Sequence, residues 1–395
     1  MGTMLQAKGL PVGAIPELTA LEHPDWLLDI HRAYVEAGAQ ILYANTFGAN
    51  REKLSHCGKT VEEIVPAAVA LAKEAAQGRA LVALDIGPTG QLLEPTGILD
   101  FETAVDIFAQ VVRAGAAAGA DLIVIETMTD LQEARAALLA AKENSGLPVL
   151  VTMTYEATGR TFLGCSPAAA ALTLEGMGAD AIGVNCSLGP REMPPLVEEL
   201  LQWTTLPIVL KPNAGLPHPD GSGYDITPQE FAHSLAQLTE LGVQVFGGCC
   251  GTTPAHIAAL KAALDAIDFA AFPAVEHDPD VIPCASETEA RFITPDVDVG
   301  EEIQCSSDLM EDILEAEEER PQGALKIEIM EEDDLELFAE NQYVIKDPLC
   351  ISTDVPELLE GALRLFQGRA FWDGTQELDS AFLEQMRDRY GLILL

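Results

Sequence analysis

The sequence predicts an α/β fold: a (β/α)8 TIM-type barrel with one strand unaccounted for, followed by a small C-terminal α/β domain. Three observations lead there. Between residues 40 and 251, short aliphatic runs alternate with alanine- and leucine-rich amphipathic stretches. The polar residues of each unit collect at the C-terminal end of its run. After Ala274 a second, shorter alternation follows a proline- and acid-rich stretch.

The runs are ILYANTF (41–47), LVALDIGP (81–88), DLIVIETM (121–128), PVLVTMTY (148–155), DAIGVNCS (180–187), LPIVLKPNAG (206–215) and VQVFGGCCG (243–251). Nearly continuous Val, Ile and Leu mark strands of a parallel sheet buried on both faces. Intervening segments such as TDLQEARAALLAAKENSG carry helix start and stop signals. Seven strands alternating with helices fit a doubly wound sheet or a barrel. Asn45, Thr46, Asp85, Glu126, Thr154, Cys186, Asn213, Cys249 and Cys250 all lie at run ends. In a barrel those ends converge on one mouth, whereas an open sheet concentrates function at a switch point. The barrel is preferred.

The chain divides into a barrel over 1–274, an acidic linker over 275–322 and a small α/β domain over 323–395. That last domain rests on the runs ALKIEIM, YVIKDPLCIST, GRAFWDG and YGLILL, with two amphipathic stretches between them. Net charge is −41, and residues 276–340 hold 23 acidic residues against Arg291, Arg320 and Lys326. Such a balance excludes nucleic acid and anionic membrane as partners. No apolar run reaches the ~18 residues of a membrane span, and the start lacks a signal-peptide pattern. The expected compartment is the cytoplasm, and eight scattered cysteines fit its reducing conditions.

Cys249 and Cys250 are adjacent, between glycine pairs, at the end of a run. Neighbouring cysteines are poorly placed to pair, because a disulfide wants Cα atoms about 5.5 Å apart. If the barrel closes, Cys186 reaches the same mouth. Three thiolates there make a Zn²⁺ site with an open fourth position; the competing reading is three buried cysteines acting as small hydrophobes. Cys57, Cys165, Cys284, Cys305 and Cys350 show no such convergence.

The motifs GGCCGTTPAHI, GVNCSLGP, KPNAG, IVIETMTD, ANTFGANREKL and DIGPTG resemble the homocysteine S-methyltransferase family, from Met1 to about residue 270. That family includes the homocysteine-binding module of cobalamin-dependent methionine synthase. The resemblance implies a homocysteine-binding barrel with zinc held by Cys186, Cys249 and Cys250, and with Asn213 as an oxygen ligand before substrate arrives. It places Glu126 on the substrate ammonium, with Thr46 and Asp85 lining the pocket. His256 is read as packing. Family members have a first strand ending in an Asp-Gly-Ala-Met-Gly-Thr-like turn, and this chain begins at Met-Gly-Thr. The strand unaccounted for is therefore the first, and the barrel is expected either truncated or open at that seam. Residues 348–395 resemble part of the pterin-binding module of methionine synthase, here a fragment serving stability, dimerisation or docking. A homo-oligomer stays open.

The implied reaction brings homocysteine sulfur to zinc as the fourth ligand and then transfers an activated methyl group to it, giving methionine. A separate methyl-corrinoid protein is the first choice of donor, so methylcobalamin would enter only through a partner. S-methylmethionine or betaine is the alternative. A non-catalytic zinc-binding accessory paralogue is a third reading.

Overall fold

A computed structural model describes residues 1–216, 223–268, 281–320 and 323–395. Seven strands form one sheet: β1 (Ile41–Tyr43), β2 (Leu81–Ile86), β3 (Leu122–Met128), β4 (Val149–Met153), β5 (Ala181–Asn185), β6 (Ile208–Lys211) and β7 (Val245–Phe246). They pair in chain order and every pair is parallel. An order that never reverses is the winding of a TIM-type barrel, since a doubly wound sheet changes direction at its switch point. Among the described residues β1 and β7 do not pair with each other, so the sheet stays open on that side.

Helices α1 (Gly2–Lys8), α2 (Thr19–Glu22) and α3 (Pro24–Glu36) precede β1, and α4 (Arg51–Leu54) and α5 (Val61–Ala76) lead into β2. Then α6 (Phe101–Ala117), α7 (Leu131–Asn144), α8 (Pro167–Gly176), α9 (Pro194–Leu201) and α10 (Pro228–Gln237) follow β2 to β6 in turn, and α11 (Pro254–Leu264) follows β7. Helix α5 shows why these stretches fold. Thr60 and Glu63 form a capping box, and Val61, Ile64, Val65, Ala68 and Ala72 make a buried stripe at helical spacing. Helices α3 and α11 touch, and the Tyr34 hydroxyl donates to the Thr252 carbonyl at 3.2 Å. The layer of helices therefore meets on the side where the sheet does not.

Alternation along each strand decides what faces inward. Ile41, Ala83, Leu122, Val124, Leu150, Ala181, Val209 and Val245 pack into one cluster on one face of the sheet. Stepping on by two residues along those strands brings Tyr43, Asp85, Glu126, Thr152, Asn185 and Lys211 to the same face, at the C-terminal ends. An aliphatic core thus carries a polar and charged top. No helix among the described residues is long and apolar enough to cross a membrane.

The described chain forms two compact units, and the division departs from the one read in the sequence. Arg160–Ala179, which holds α8, and Gln202–Thr205 belong to the second unit. Helix α8 is buried throughout Pro167–Leu174 and packs with elements of that unit. A helix that is apolar all round needs neighbours all round. The barrel's expected end at Ala274 lies outside the described residues.

Residues 281–320, expected as linker, are folded. They hold an antiparallel hairpin of β8 (Ile282–Ala285) and β9 (Ala290–Ile293), then β10 (Glu302–Gln304) and α12 (Leu309–Glu319). The charge conceals a stripe, since Leu309 and Ile313 are buried one helical turn apart in an otherwise acidic helix. Strand β10 opens a five-stranded parallel sheet with β11 (Leu325–Glu328), β12 (Leu349–Ser352), β13 (Phe371–Trp372) and β14 (Ile393–Leu394). Helices α13 (Glu332–Asn341), α14 (Pro356–Leu365) and α15 (Ser380–Tyr390) connect its strands.

Candidate metal centre

Cys186 directly follows β5, and Cys249 and Cys250 come three and four residues after β7. Their sulfur atoms all lie within 4.8 Å of one another, and the sulfurs of Cys186 and Cys250 are 4.0 Å apart. Tetrahedral zinc with Zn–S bonds of ~2.3 Å holds its sulfurs about 3.8 Å apart. The donor set therefore fits the ion in both chemistry and spacing. Among the described residues this is the one group of His, Cys, Asp and Glu close enough to hold a metal.

The backbone is bent to bring the thiols together. Cys186 and Ser187 have φ of 62° and 49°, and Thr127 at the end of β3 has 61°. Non-glycine residues in that region cost of order 1–3 kcal/mol each and persist only where their surroundings hold them. Asn185 holds Thr127 in place and ties it to Cys249. Its Oδ1 accepts from the Thr127 amide and the Thr152 hydroxyl, both at 2.8 Å. Its Nδ2 donates to Thr127 Oγ1 at 2.8 Å and to Cys249 Sγ at 3.9 Å. A carboxamide has two donors and two acceptor sites, so this buried side chain is fully used.

Two glycines are required beside the cysteines. Gly251 has φ of +77°, and a Cβ there would sit 2.2 Å from the Tyr224 ring. At Gly248 a Cβ would come within 2.5 Å of Thr252. Asn213 supports the same loop, its Oδ1 accepting from the Cys250 amide at 3.0 Å. Hydrogen bonds from Cys186 first and Cys249 second bring the Cys250 thiol down to about 3. Hydrogen bonds to Cys249 and Cys250 hold Cys186 far above the ordinary thiol range. The mutual hydrogen bonding lowers one thiol while raising its neighbours.

The remaining expected site residues sit on the inward face. Glu126 is at a β-bulge in β3, where the register against β4 shifts between Ile125 and Met128. Its carboxylate is not free but forms an ion pair with Lys211. Thr46 is buried, and its hydroxyl serves the main chain of Asp85, donating to the carbonyl at 2.8 Å and accepting from the amide at 3.0 Å. It braces Asp85. His256 caps α11 through Nδ1 and reaches the Ile226 carbonyl through Nε2 at 3.2 Å, apart from the thiols.

Asp85 is 6% exposed, and its Oδ1 has no hydrogen-bond partner. Burial, and then the charge of Glu126, push its pKa well above the carboxylate range. A carboxyl whose pKa is raised by folding loses the protein stability as pH climbs above the unfolded value of ~3.9. Asp85→Asn should therefore flatten the pH dependence of the melting temperature between pH 4 and 8, with its largest relative gain at the upper end. Parallel melting curves for the two proteins would contradict this.

Three contributors escaped the sequence reading: Asn185, Thr127 and Lys211. All lie within quoted motifs. Counting by two from the apolar positions marks Asn185 and Lys211 as inward residues at strand ends, a signal that was available.

Fold and site together describe a TIM-type barrel with three cysteines gathered at the C-terminal ends of two strands. A family model described as homocysteine S-methyltransferase matches residues 1–264, and the chain belongs to that family. Methionine synthases of Mycobacterium tuberculosis and Mycobacterium leprae are 34% and 33% identical over 286 residues, covering 67% of this chain and 24% of each relative. The chain thus spans about a quarter of the length of these curated relatives. The homocysteine methyltransferase MmuM from Escherichia coli is 26% identical in its apo form, with a TM-score of 0.55 over 67% of this chain and 93% of its own. Its metallated form is 25% identical, with a TM-score of 0.58 over 66% and 93%.

Proposed function

We propose that the chain methylates homocysteine to methionine, using a zinc ion held by Cys186, Cys249 and Cys250. The convergence of these three sulfurs in a member of this family carries the reading. Asn213 keeps a second lone pair on Oδ1 and is the oxygen ligand of the resting site. When bound, zinc supplies Lewis-acid activation that makes a thiol available as thiolate at neutral pH, where a free thiol of pKa ~8.5 is mostly protonated.

The protein's own residues do the rest. Glu126, with Asp85 braced by Thr46 behind it, receives the substrate ammonium and so fixes which way the thiol points. Asn185 keeps Cys186 and Cys249 in register with the end of β3. The buried inward face keeps water from the nucleophile. In the reaction the homocysteine sulfur forms a bond to the methyl carbon while the donor–methyl bond breaks, its electron pair leaving with the donor.

The likeness to methionine synthases favours a methyl-corrinoid carried by a separate protein. The likeness to the homocysteine methyltransferase MmuM, covered over 93% of its chain, supports a small donor such as S-methylmethionine or betaine as the second reading. An assay of methionine formation across these donors and across salt separates them. With a corrinoid protein attracted to this acidic chain, the rate should fall several-fold between low and physiological ionic strength, where screening reaches ~8 Å. Salt-independent turnover with a small donor, and none with a corrinoid protein, would promote the second reading. No turnover with any donor would leave a zinc-binding accessory subunit.

A further inference from the structure

Lys211 is one of only 22 basic residues in a chain with 63 acidic ones, and it is buried. Its side chain is 7% exposed, paired with a Glu126 side chain that is 13% exposed, and its ammonium lies 4.3 Å from the centre of the Tyr43 ring. Room for it is made by Gly247, where a Cβ would come within 3.0 Å of Lys211 Cγ. A glycine of the cysteine motif thus admits a charged side chain to the inward face. Stability does not account for this, because a buried ion pair roughly breaks even against apolar packing.

Beside the pair stands Asp85 with an open, buried carboxyl oxygen. Such an oxygen is unfavourable when left unmet. The Asp85 carboxyl, the Lys211 ammonium and the Glu126 carboxylate thus lie together on the inward face. A divalent cation would be repelled by Lys211, and a dicarboxylate by Glu126. A zwitterion with its two charges on one carbon matches the pattern, its cationic end meeting the Glu126 carboxylate and the open Asp85 oxygen, and its anionic end the ammonium.

We propose that Lys211 binds the α-carboxylate of the amino-acid substrate, while Glu126 and the open oxygen of Asp85 share its ammonium. This deepens the proposed function and rests on it. Lys211 is then the residue that separates an α-amino acid from a simple aminothiol.

Calorimetric titration of the full chain with L-homocysteine and with 3-aminopropane-1-thiol, which lacks only the carboxylate, tests this. The unaltered protein should prefer homocysteine by about 30-fold or more, the scale of a lost buried charge contact. Lys211→Met should weaken homocysteine by a similar factor and leave the aminothiol within about threefold. Since that variant strands Glu126, the double variant Glu126→Gln/Lys211→Met, which buries no lone charge, is measured beside it and should also lose the preference. Homocysteine binding with no preference in the unaltered protein, or equal weakening of both ligands in the variants, overturns the role of Lys211 alone. Failure of the unaltered protein to bind either ligand overturns the proposed function with it.

Discussion

Replacing any one of Cys186, Cys249 or Cys250 by alanine should reduce bound zinc from about one ion per chain to a small fraction, and methionine formation about a thousandfold or more. A structural or catalytic zinc site needs its full thiolate set, and binding of this kind is worth on the order of 10 kcal/mol at neutral pH. Among the described residues no further His, Cys, Asp or Glu joins the three sulfurs, so none of these is placed to replace a missing ligand. Cys165→Ala is the control, for its sulfur is buried and donates to the Ser166 carbonyl instead. Elemental analysis of the purified variants reads the result. Unchanged zinc in all three would remove the metal from the proposed function.

The second large effect concerns stability. Glu126→Ala should destabilise the protein by about 3–5 kcal/mol, because it leaves the Lys211 ammonium buried without its partner. In a unit of this size that lowers the melting temperature on the order of 10 °C. Adding Lys211→Met should restore most of the loss, and the double-mutant cycle should show a coupling of comparable size. Burial opposes the charge on Lys211 most strongly, yet Glu126 and Tyr43 raise its pKa above the ordinary lysine value. The contribution of the Lys211 charge is therefore undiminished up to pH ~10.4 and is lost on the alkaline side as the folded form titrates. Additive single variants would show that the two side chains stabilise the barrel independently.

Much of the site was legible because its parts are local. Apolar runs locate strands, the polar residue at the end of each run locates the mouth, and adjacent cysteines between glycines stand out against any packing pattern. Glu126 was visible for the same reason, as the last inward position of a strand whose earlier ones are Leu122 and Val124. What escaped was pairwise. Lys211 follows Glu126 by 85 residues and Asn185 precedes Cys249 by 64. Nothing in the spacing of one run says which inward side chain of another strand it will meet.

Composition misled where it averaged over faces. The acidic stretch reads as solvated chain, yet α12 needs only Leu309 and Ile313 on one side to dock, leaving its charges in water. Helix α8 misled in the opposite way. Its sequence names a strand-to-strand connection of the barrel, but an apolar surface on every side took it into the second unit. The strands, their inward faces and the three sulfurs at their ends follow from the order of the amino acids, because alternation and local backbone geometry are short-range properties. Folding in three dimensions adds that Glu126 is held by Lys211, that Asn185 bonds to Cys249, and that Asp85 keeps an unmet oxygen. Hydrogen bonds and charge pairs between strands depend on distances that no single run contains.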